Sequence, residues 1–143
     1  MRKQSEQKIK LIDTVYLIAY VNPIDKLHKE ALQLIENINQ QTLVSSYALI
    51  EFDLIMKSRG FTEEERIDIW TLLETKINGN IASPHPQDHR IAAELQKLNY
   101  DYFDSLIAAQ AARLKAQPQT TDKMIIQAYN KITKAHQKSQ TTN

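Results

Sequence analysis

Apolar residues follow two patterns along the chain: short runs typical of buried strands, and longer stretches with the three- and four-residue spacing of helices. The short runs predict strands at 9–12, 42–45 and 80–83, and a fourth strand of polar composition is expected at 117–121. The longer stretches predict helices at 15–21, 24–38, 47–57, 62–77, 86–98, 103–115 and 125–135. Short strands that alternate with helices are typical of an α/β fold, in which helices cover both faces of a central parallel sheet.

Local signals mark several of these boundaries. The Asn-Pro pair at 22–23 ends the first helix, because proline cannot continue a helix. Ser46 is expected to cap the third helix, and Thr62 supplies a hydroxyl cap to the fourth, which has acids in its first turn. The chain has 143 residues, which fits one domain over 1–136 followed by a polar tail over 137–143.

Composition narrows the possible chemistry. The chain has 18 basic and 17 acidic residues and a formal net charge of +1. This composition does not by itself indicate a strongly basic surface that would bind nucleic acid. Such a surface is not excluded either, because an acidic metal site offsets basic residues in the total. The absence of Cys excludes disulfides, thiolate catalysis and cysteine-bound zinc. The apolar stretch at 11–21 contains an Asp and is too short to span a bilayer, so we expect a soluble cytoplasmic protein without membrane contacts.

Four acidic residues stand out by position, three at strand-to-helix junctions and one on an apolar helix face: Asp13, Asp104, Asp122 and Glu51. Each aspartate has an ordinary interpretation as a helix cap. Asp101 competes with Asp104 for that role and can serve as the cap while Asp104 points inward.

Glu51 is harder to explain as a surface residue. On a helix its neighbours at three and four residues are Tyr47, Ala48, Leu54 and Ile55, so its carboxylate lies within an apolar face. A buried, unpaired carboxylate costs several kcal/mol, and this cost requires a compensating basic residue, a proton or a metal ion. A structural salt bridge is the alternative to a metal site at this point.

The joint pattern of acids favours a hard cation. Carboxylate oxygens without Cys ligands or a paired-histidine motif are typical of Mg²⁺ or Mn²⁺ sites rather than zinc sites. The sequence contains no phosphate-cradling motif of the GxxxxGK[ST] or GxGxxG type, and it has only two Gly residues.

Three stretches of the sequence are similar to one known family. They are LIDTVYLIAYVNPIDKLHKEAL, LVSSYALIEFDLIMKSRG, and AAELQKLNYDYFDSLIAAQAARL followed by TTD. The chain resembles the PIN-domain family over about residues 8–122, in particular the toxin half of VapBC toxin–antitoxin pairs. The most specific element is YFDSLIAAQA followed by TTD, whose two aspartates are separated by 18 positions.

The resemblance implies a three-layer α/β/α sandwich with a central parallel sheet, and ribonuclease activity. It implies metal ligands at the four acids already singled out, Asp13, Glu51, Asp104 and Asp122, with supporting polar contacts from Thr14 and Thr120. The chain departs from the family pattern at Val15, where the family often has Asn or Ser. It also departs in the polar strand at 117–121, and after Asp122, where helix replaces the usual short strand.

We therefore expect a metal-dependent endoribonuclease that uses Mg²⁺ or Mn²⁺ to hydrolyse RNA, and that acts as the toxin of a toxin–antitoxin pair with an antitoxin protein as partner. Two alternatives stay open. One is a non-catalytic PIN-like module that binds nucleic acid or protein, and the other is a helical interaction protein whose acids are caps and salt bridges.

A homodimer is also expected, through residues 15–38 and 47–70. The first half of the chain carries large apolar side chains that one small core cannot fully bury. Tyr16, Tyr20, Phe52 and Trp70 are the expected contacts.

Overall fold

The computed structural model describes residues 8–141, and their side chains up to residue 135. Four short strands alternate with seven helices along this part of the chain. In order they are β1 (Lys10–Ile12), α1 (Thr14–Val21), α2 (His28–Glu36), β2 (Thr42–Ser45), α3 (Ser46–Ser58), α4 (Glu63–Ile77), β3 (Ile81–Ala82), α5 (Pro86–Gln96), α6 (Tyr102–Leu114), β4 (Gln117–Gln119) and α7 (Lys123–Thr141).

The four strands form one parallel sheet in the order β3-β2-β1-β4. β1 is central, and its Leu11 and Ile12 are fully buried, as expected for a strand covered on both faces. The order in which strands are added to the sheet reverses at β1. β2 and β3 are added on one side of β1, and β4 is added on its other side. In open parallel sheets, ligands bind outside the carboxyl ends of the strands at such a point.

The polar strand predicted near residue 117 is present, and its composition suits its place. β4 pairs only with β1, so it is an edge strand. Pro118 lies opposite Leu11 and is buried, while Gln117 is exposed. Proline lacks an amide proton and is tolerated where one side of a strand has no partner. Edge position thus explains why a strand with so few apolar residues forms here.

The helices form two layers around the sheet, giving the predicted α/β/α sandwich. α1 packs against α2 and α3, and α2 also contacts α4. In the other layer α6 lies between α5 and α7, and its residues 104–111 are all buried. Alanine at 108, 109 and 111 lets neighbouring elements approach α6 closely on several sides. Between residues 8 and 141, no helix combines the length and apolar composition that crossing a bilayer requires.

Two predicted helix boundaries differ from the structure by more than the one or two residues seen elsewhere. The second helix begins at His28 rather than at 24, because turns occupy the residues after Pro23. The last helix continues to Thr141, so most of the polar tail predicted over 137–143 extends α7. Residues 142 and 143 lie outside the described range. No fifth strand follows β4 within residues 8–141, as the sequence indicated.

Two helix starts were predicted with different success. Thr62 and Glu65 form the reciprocal capping box expected at the start of α4. The cap of α3 is Ser45 and not Ser46, since the Ser45 hydroxyl accepts a hydrogen bond from the Ala48 amide at 3.3 Å. Adjacent serines leave the sequence ambiguous by one residue.

The prediction that four aromatic side chains lie at a dimer surface is wrong in its choice of residues. Tyr16, Tyr20 and Phe52 are buried within the protomer, and Trp70 is half-buried with its indole N–H donating to Asp53. Other apolar residues in the same half of the chain are exposed: Ile24, Ile50, Leu54, Phe61, Ile67 and Leu72.

Ser105 carries the one buried side-chain polar atom that lacks a hydrogen-bond partner among the described residues. Leaving a buried hydroxyl unsatisfied costs about 1–3 kcal/mol. Ser105→Ala should therefore keep the free energy of unfolding or raise it by up to about 1–2 kcal/mol, measured by urea denaturation. A loss of more than about 1 kcal/mol would show that the hydroxyl has a stabilising partner.

Candidate active site

Asp13 lies at the switch point of the sheet, directly after β1. It is buried, and its amide donates to the carbonyl of Gln119 at the end of β4, at 3.2 Å. One carboxylate oxygen, Oδ1, accepts from the Thr14 amide at 2.6 Å, which makes Asp13 the cap of α1. The other, Oδ2, accepts from the Thr120 hydroxyl at 2.6 Å. The cap role and an inward-facing position thus coexist in one residue.

Glu51 approaches the same place from α3. Its side chain is half-buried, and Oε1 accepts a hydrogen bond from the Thr14 hydroxyl at 2.5 Å. Thr14 therefore joins two acids, contacting Asp13 through its amide and Glu51 through its hydroxyl. No basic side chain within residues 8–135 forms a salt bridge with Glu51, so the salt-bridge alternative for this residue is not observed.

Asp122 enters the site through Thr120. The Thr120 hydroxyl donates to Asp13 and accepts from the Asp122 amide at 2.9 Å. The Asp122 carboxylate accepts from the Met124 amide at 2.9 Å, in the first turn of α7. Asp122 therefore caps this helix, in agreement with the interpretation of the aspartates as caps. Its charge also raises the pKa of the other three acids.

Asp104 is the acid of the four whose carboxylate has no hydrogen-bond donor among the described residues. It lies in the first turn of α6, is buried, and forms no side-chain hydrogen bond with any described residue. Asp101 occupies the cap position of α6, although its side chain does not bond to the helix amides. Burial, together with the charges of neighbouring acids, chiefly Asp122 and Glu51, raises the pKa of Asp104 to about 7.

The same effects act on the other carboxylates. Burial raises the pKa of Asp13 above its usual value, and hydrogen bonds from Thr120 and Thr14 oppose this only in part. Burial also raises the pKa of Glu51, against the hydrogen bond from Thr14 and together with the charge of Asp13. The leading influences on these groups include no Lys or Arg. The acids therefore form one electrostatically coupled cluster in which no basic side chain is a leading influence.

The carboxylate oxygens of the site are suitable ligands for a divalent cation. Their side chains, however, are not placed close enough together to coordinate one as they stand. Carboxylate oxygens are the ligands that Mg²⁺ and Mn²⁺ prefer. Within residues 8–135, no three acidic or histidine side chains are grouped closely enough to hold an ion as they stand. Both oxygens of Asp13 already accept hydrogen bonds, and mutual repulsion keeps uncompensated carboxylates apart.

The six site residues named from the sequence thus come together in two ways. Hydrogen bonds connect Asp13, Thr14, Glu51, Thr120 and the backbone of Asp122, whereas Asp104 is linked to them by charge. The sequence assigned Asp101 only a capping role. Its charge also raises the pKa of Glu51 and of Asp104, so it belongs to the acidic cluster. The short spacing from Asp101 to Asp104 was the available signal.

A consequence for stability follows from the raised pKa of Asp104. Its folded-state pKa of about 7 exceeds the ordinary value of 3.8, so the folded state holds this proton more tightly. The stability contributed by this proton is therefore fully present below about pH 4 and is lost as pH rises to about 7. We expect the melting temperature of the metal-free protein to fall between pH 5 and pH 7.5. Asp104→Asn should flatten this fall, and a wild-type melting temperature that rises over the interval would contradict the assignment.

Fold and site together define a class of protein: an α/β/α sandwich with an acidic cluster at the switch point of a parallel sheet. The model of the PIN domain matches residues 10–131. The chain belongs to the PIN-domain family.

Solved structures agree with this fold. The structure of Mycobacterium tuberculosis VapC20, a toxin that cleaves the sarcin–ricin loop, is similar with a TM-score of 0.66 and 18% sequence identity, over 83% of this chain and 94% of that one. VapBC2 from Rickettsia felis, bound to a DNA fragment from its promoter, is similar with a TM-score of 0.59 and 18% identity, over 79% of this chain and 86% of that one. No curated protein matches the sequence significantly.

Proposed function

We propose that the protein is a metal-dependent endoribonuclease that hydrolyses RNA phosphodiester bonds with Mg²⁺ or Mn²⁺. The observation that carries the proposal is the environment of Asp104: a largely buried residue whose carboxylate forms no hydrogen bond or salt bridge with a described side chain, next to four other acids. Such an arrangement is unfavourable in a purely structural role, because buried charges are normally paired. A bound divalent cation removes the unfavourable term.

The residues proposed to hold the cation are the four acids Asp13, Glu51, Asp104 and Asp122. Thr14 and Thr120 orient them, since each hydroxyl donates to a carboxylate oxygen of this set. Polar partners behind a metal ligand fix its orientation and typically account for 10- to 100-fold in metal affinity or activity. Of the four acids, Asp104 is free to turn towards a ligand without breaking a side-chain hydrogen bond to a described residue.

A divalent cation, when bound, lowers the pKa of water and offsets negative charge at a scissile phosphate. The protein's own contribution is to collect anionic oxygens at a partly buried position at the end of the sheet. Without the cation these carboxylates repel the phosphate backbone of RNA. Substrate binding and metal binding should therefore be coupled, each favouring the other.

The purified protein should cleave single-stranded RNA with Mg²⁺ or Mn²⁺ and should not cleave it in EDTA. Ca²⁺ is expected to bind and to support little turnover, because its coordination is looser. Metal-independent cleavage that survives Glu51→Gln would contradict the proposal. A substrate-selective enzyme leaves most RNA uncut, so the assay should use total RNA rather than one oligonucleotide.

We further propose that the chain acts as the toxin of a toxin–antitoxin pair. VapC20 is a toxin that cleaves the sarcin–ricin loop, and VapBC2 is a toxin–antitoxin complex. These likenesses support a partner protein that silences the site. Expression of the chain alone should arrest bacterial growth, whereas the Asp104→Asn variant should not. Growth arrest by both forms alike would contradict a toxin that acts through this site.

The exposed apolar residues of the first half of the chain support a homodimer. Ile50 and Leu54 lie one turn apart on α3, Ile67 is exposed on α4, and Ile24 is 92% exposed. Contiguous exposed apolar surface usually marks an interface. Light scattering at high micromolar concentration should give twice the protomer mass, and Leu54→Lys should shift it towards the monomer. A monomeric wild type at that concentration would contradict this proposal.

A non-catalytic binding module is the second candidate. It is favoured by the absence of a ready three-ligand grouping among the described residues, and by Val15, which packs against the core instead of offering a polar contact. Metal-dependent turnover separates the two candidates. The helical interaction protein is excluded, because the chain folds around a parallel sheet.

A further inference from the structure

A buried polar network joins α6 to the start of α3. Its centre is Gln110, whose side chain is fully buried. The amide oxygen accepts from the Ser45 hydroxyl at 2.7 Å. The amide nitrogen lies 3.1 Å from the Ser46 hydroxyl, and 3.0 and 3.1 Å from the carbonyl oxygens of Ala82 and Ser83. One side chain thus contacts the end of β2, the start of α3 and the end of β3.

Ser45 connects Gln110 to the acidic cluster. Its hydroxyl donates to Gln110 and accepts from the Ala48 amide, so the orientation of the α3 cap depends on Gln110. Val44 pairs with Ile12, so the next residues along the two strands, Ser45 and Asp13, reach the same edge of the sheet. The network therefore borders the acidic cluster on the β2 side.

The two helices joined in this way carry two of the proposed ligands. Glu51 lies on α3 and Asp104 lies on α6, each six residues from a member of the contact between Ser45 and Gln110. Six residues correspond to about 9 Å along a helix axis. Because a helix is stiff over this length, the contact between Ser45 and Gln110 sets the separation of the two carboxylates.

We infer that Gln110 is a positioning residue of the carboxylate site: it holds the capped start of α3 against α6 and thereby fixes Glu51 relative to Asp104. This inference rests on the proposed function for its effect on metal binding. It assigns Gln110 no contact with substrate or cation. Partners that act behind metal ligands typically change affinity by 10- to 100-fold when removed.

A second connection between the same helices keeps the fold in place when Gln110 is replaced. Arg113 on α6 donates to Asp88 with Nε at 2.6 Å and Nη2 at 3.2 Å. Asp88 is fully buried and also accepts from the Tyr47 hydroxyl at 2.8 Å, in the first turn of α3. Loss of Gln110 should therefore loosen the start of α3 without separating the two helices.

The test compares two substitutions in side-chain networks that both involve α3. Gln110→Met keeps the volume and removes the polar contacts with Ser45. Asp53→Asn weakens the outer network, in which Asp53 accepts from Arg66 and from Trp70. Asp53 follows Glu51 by two residues, about 200° around the helix, so it faces away from the site. The full-length variants are titrated with MnCl₂, and free Mn²⁺ is measured by electron paramagnetic resonance.

Gln110→Met should raise the Kd for Mn²⁺ at least about 10-fold, and Asp53→Asn should leave it within about two-fold. Ser45→Ala reaches the same contact from α3 and serves if Gln110→Met does not fold. If the effects of Gln110→Met and Ser45→Ala on the Kd for Mn²⁺ do not add in the double variant, the two residues act through the same contact. Equal Mn²⁺ affinity in Gln110→Met, Asp53→Asn and the wild type would overturn the inference.

Amide hydrogen exchange separates this inference from the proposed function. If the wild type binds no Mn²⁺ and cuts no RNA, the proposed function fails, and exchange at 47–51 decides the positioning role alone. Faster exchange there in Gln110→Met, with unchanged exchange in Asp53→Asn, supports the role. Unchanged exchange at 47–51 in Gln110→Met overturns it.

Discussion

Asp104→Asn is expected to leave the fold intact and to lower metal-dependent RNA cleavage by more than about 100-fold. This exceeds the loss usual for a residue that acts behind a ligand, because Asp104 is proposed to contact the cation itself. The substitution keeps the shape and removes one of several mutually repelling carboxylates. The melting temperature of the metal-free variant should therefore equal or exceed that of the wild type near pH 7.5, since Asp104 is buried without a hydrogen bond.

The matched control is Asp68→Asn, which makes the same chemical change at an exposed position on α4. It should alter neither cleavage nor stability by a measurable amount. Asp104 lies inside the first turn of α6 and makes no side-chain hydrogen bond to a described residue, so a purely structural Asp104 would tolerate the change to asparagine. Full activity in Asp104→Asn, with Mg²⁺ still required, would place the catalytic cation elsewhere.

Arg113→Ala is expected to have the largest effect on stability. Asp88 is fully buried, and Arg113 is its charged partner at 2.6 Å, with a side chain 19% exposed. Removing Arg113 leaves a buried carboxylate supported only by the Tyr47 hydroxyl and the His85 amide. Breaking a buried pair from one side costs about 3–5 kcal/mol. Urea denaturation should show this as a lower midpoint with an unchanged slope.

A second arginine–aspartate pair provides the comparison. Arg66 contacts Asp53 at 2.7 Å, with side chains 21% and 31% exposed. Geometry is similar in the two pairs and burial is not, so Arg66→Ala should cost about 1 kcal/mol or less. Equal losses in Arg113→Ala and Arg66→Ala would show that burial of Asp88 does not determine the energetics of the pair.

Much of the fold was predictable because the relevant signals are local. Apolar periodicity located the helices and the first three strands of the described chain, and the hydroxyl cap at Thr62 with acids in the next turn followed from a four-residue pattern. The start of the second helix was predicted too early, because apolar spacing continued through turns that end only at His28. Ser45 and Ser46 are both good caps, so the choice between them depends on which hydroxyl faces the Ala48 amide.

The membership of the acidic cluster was predictable except for Asp101, whereas its hydrogen bonds were not. Residues after parallel strands meet at one edge of a sheet, which brings Asp13 close to Thr120 and Asp122. Which hydrogen bonds a side chain forms depends on partners that are far away in the sequence. The bond between Thr14 and Glu51 spans 37 positions, and that between Ser45 and Gln110 spans 65.

Burial of individual aromatic residues also depended on packing between helices. Tyr16 and Tyr20 looked too large for a small core, yet each is buried with its hydroxyl donating to a glutamate on α2, Glu30 and Glu36 respectively. A tyrosine can bury its ring when its hydroxyl reaches a polar partner at the surface. Apart from Phe61, the exposed large apolar residues of this half of the chain are aliphatic, and the proposed dimer should be tested there.

The most direct measurement is a crystal structure of the protein with bound Mn²⁺, recorded with anomalous diffraction. The account predicts an anomalous peak among the carboxylates of Asp13, Glu51, Asp104 and Asp122, with the Asp104 side chain turned towards it. No peak at saturating Mn²⁺, or a peak away from these carboxylates, would contradict the metal site and with it the proposed ribonuclease mechanism.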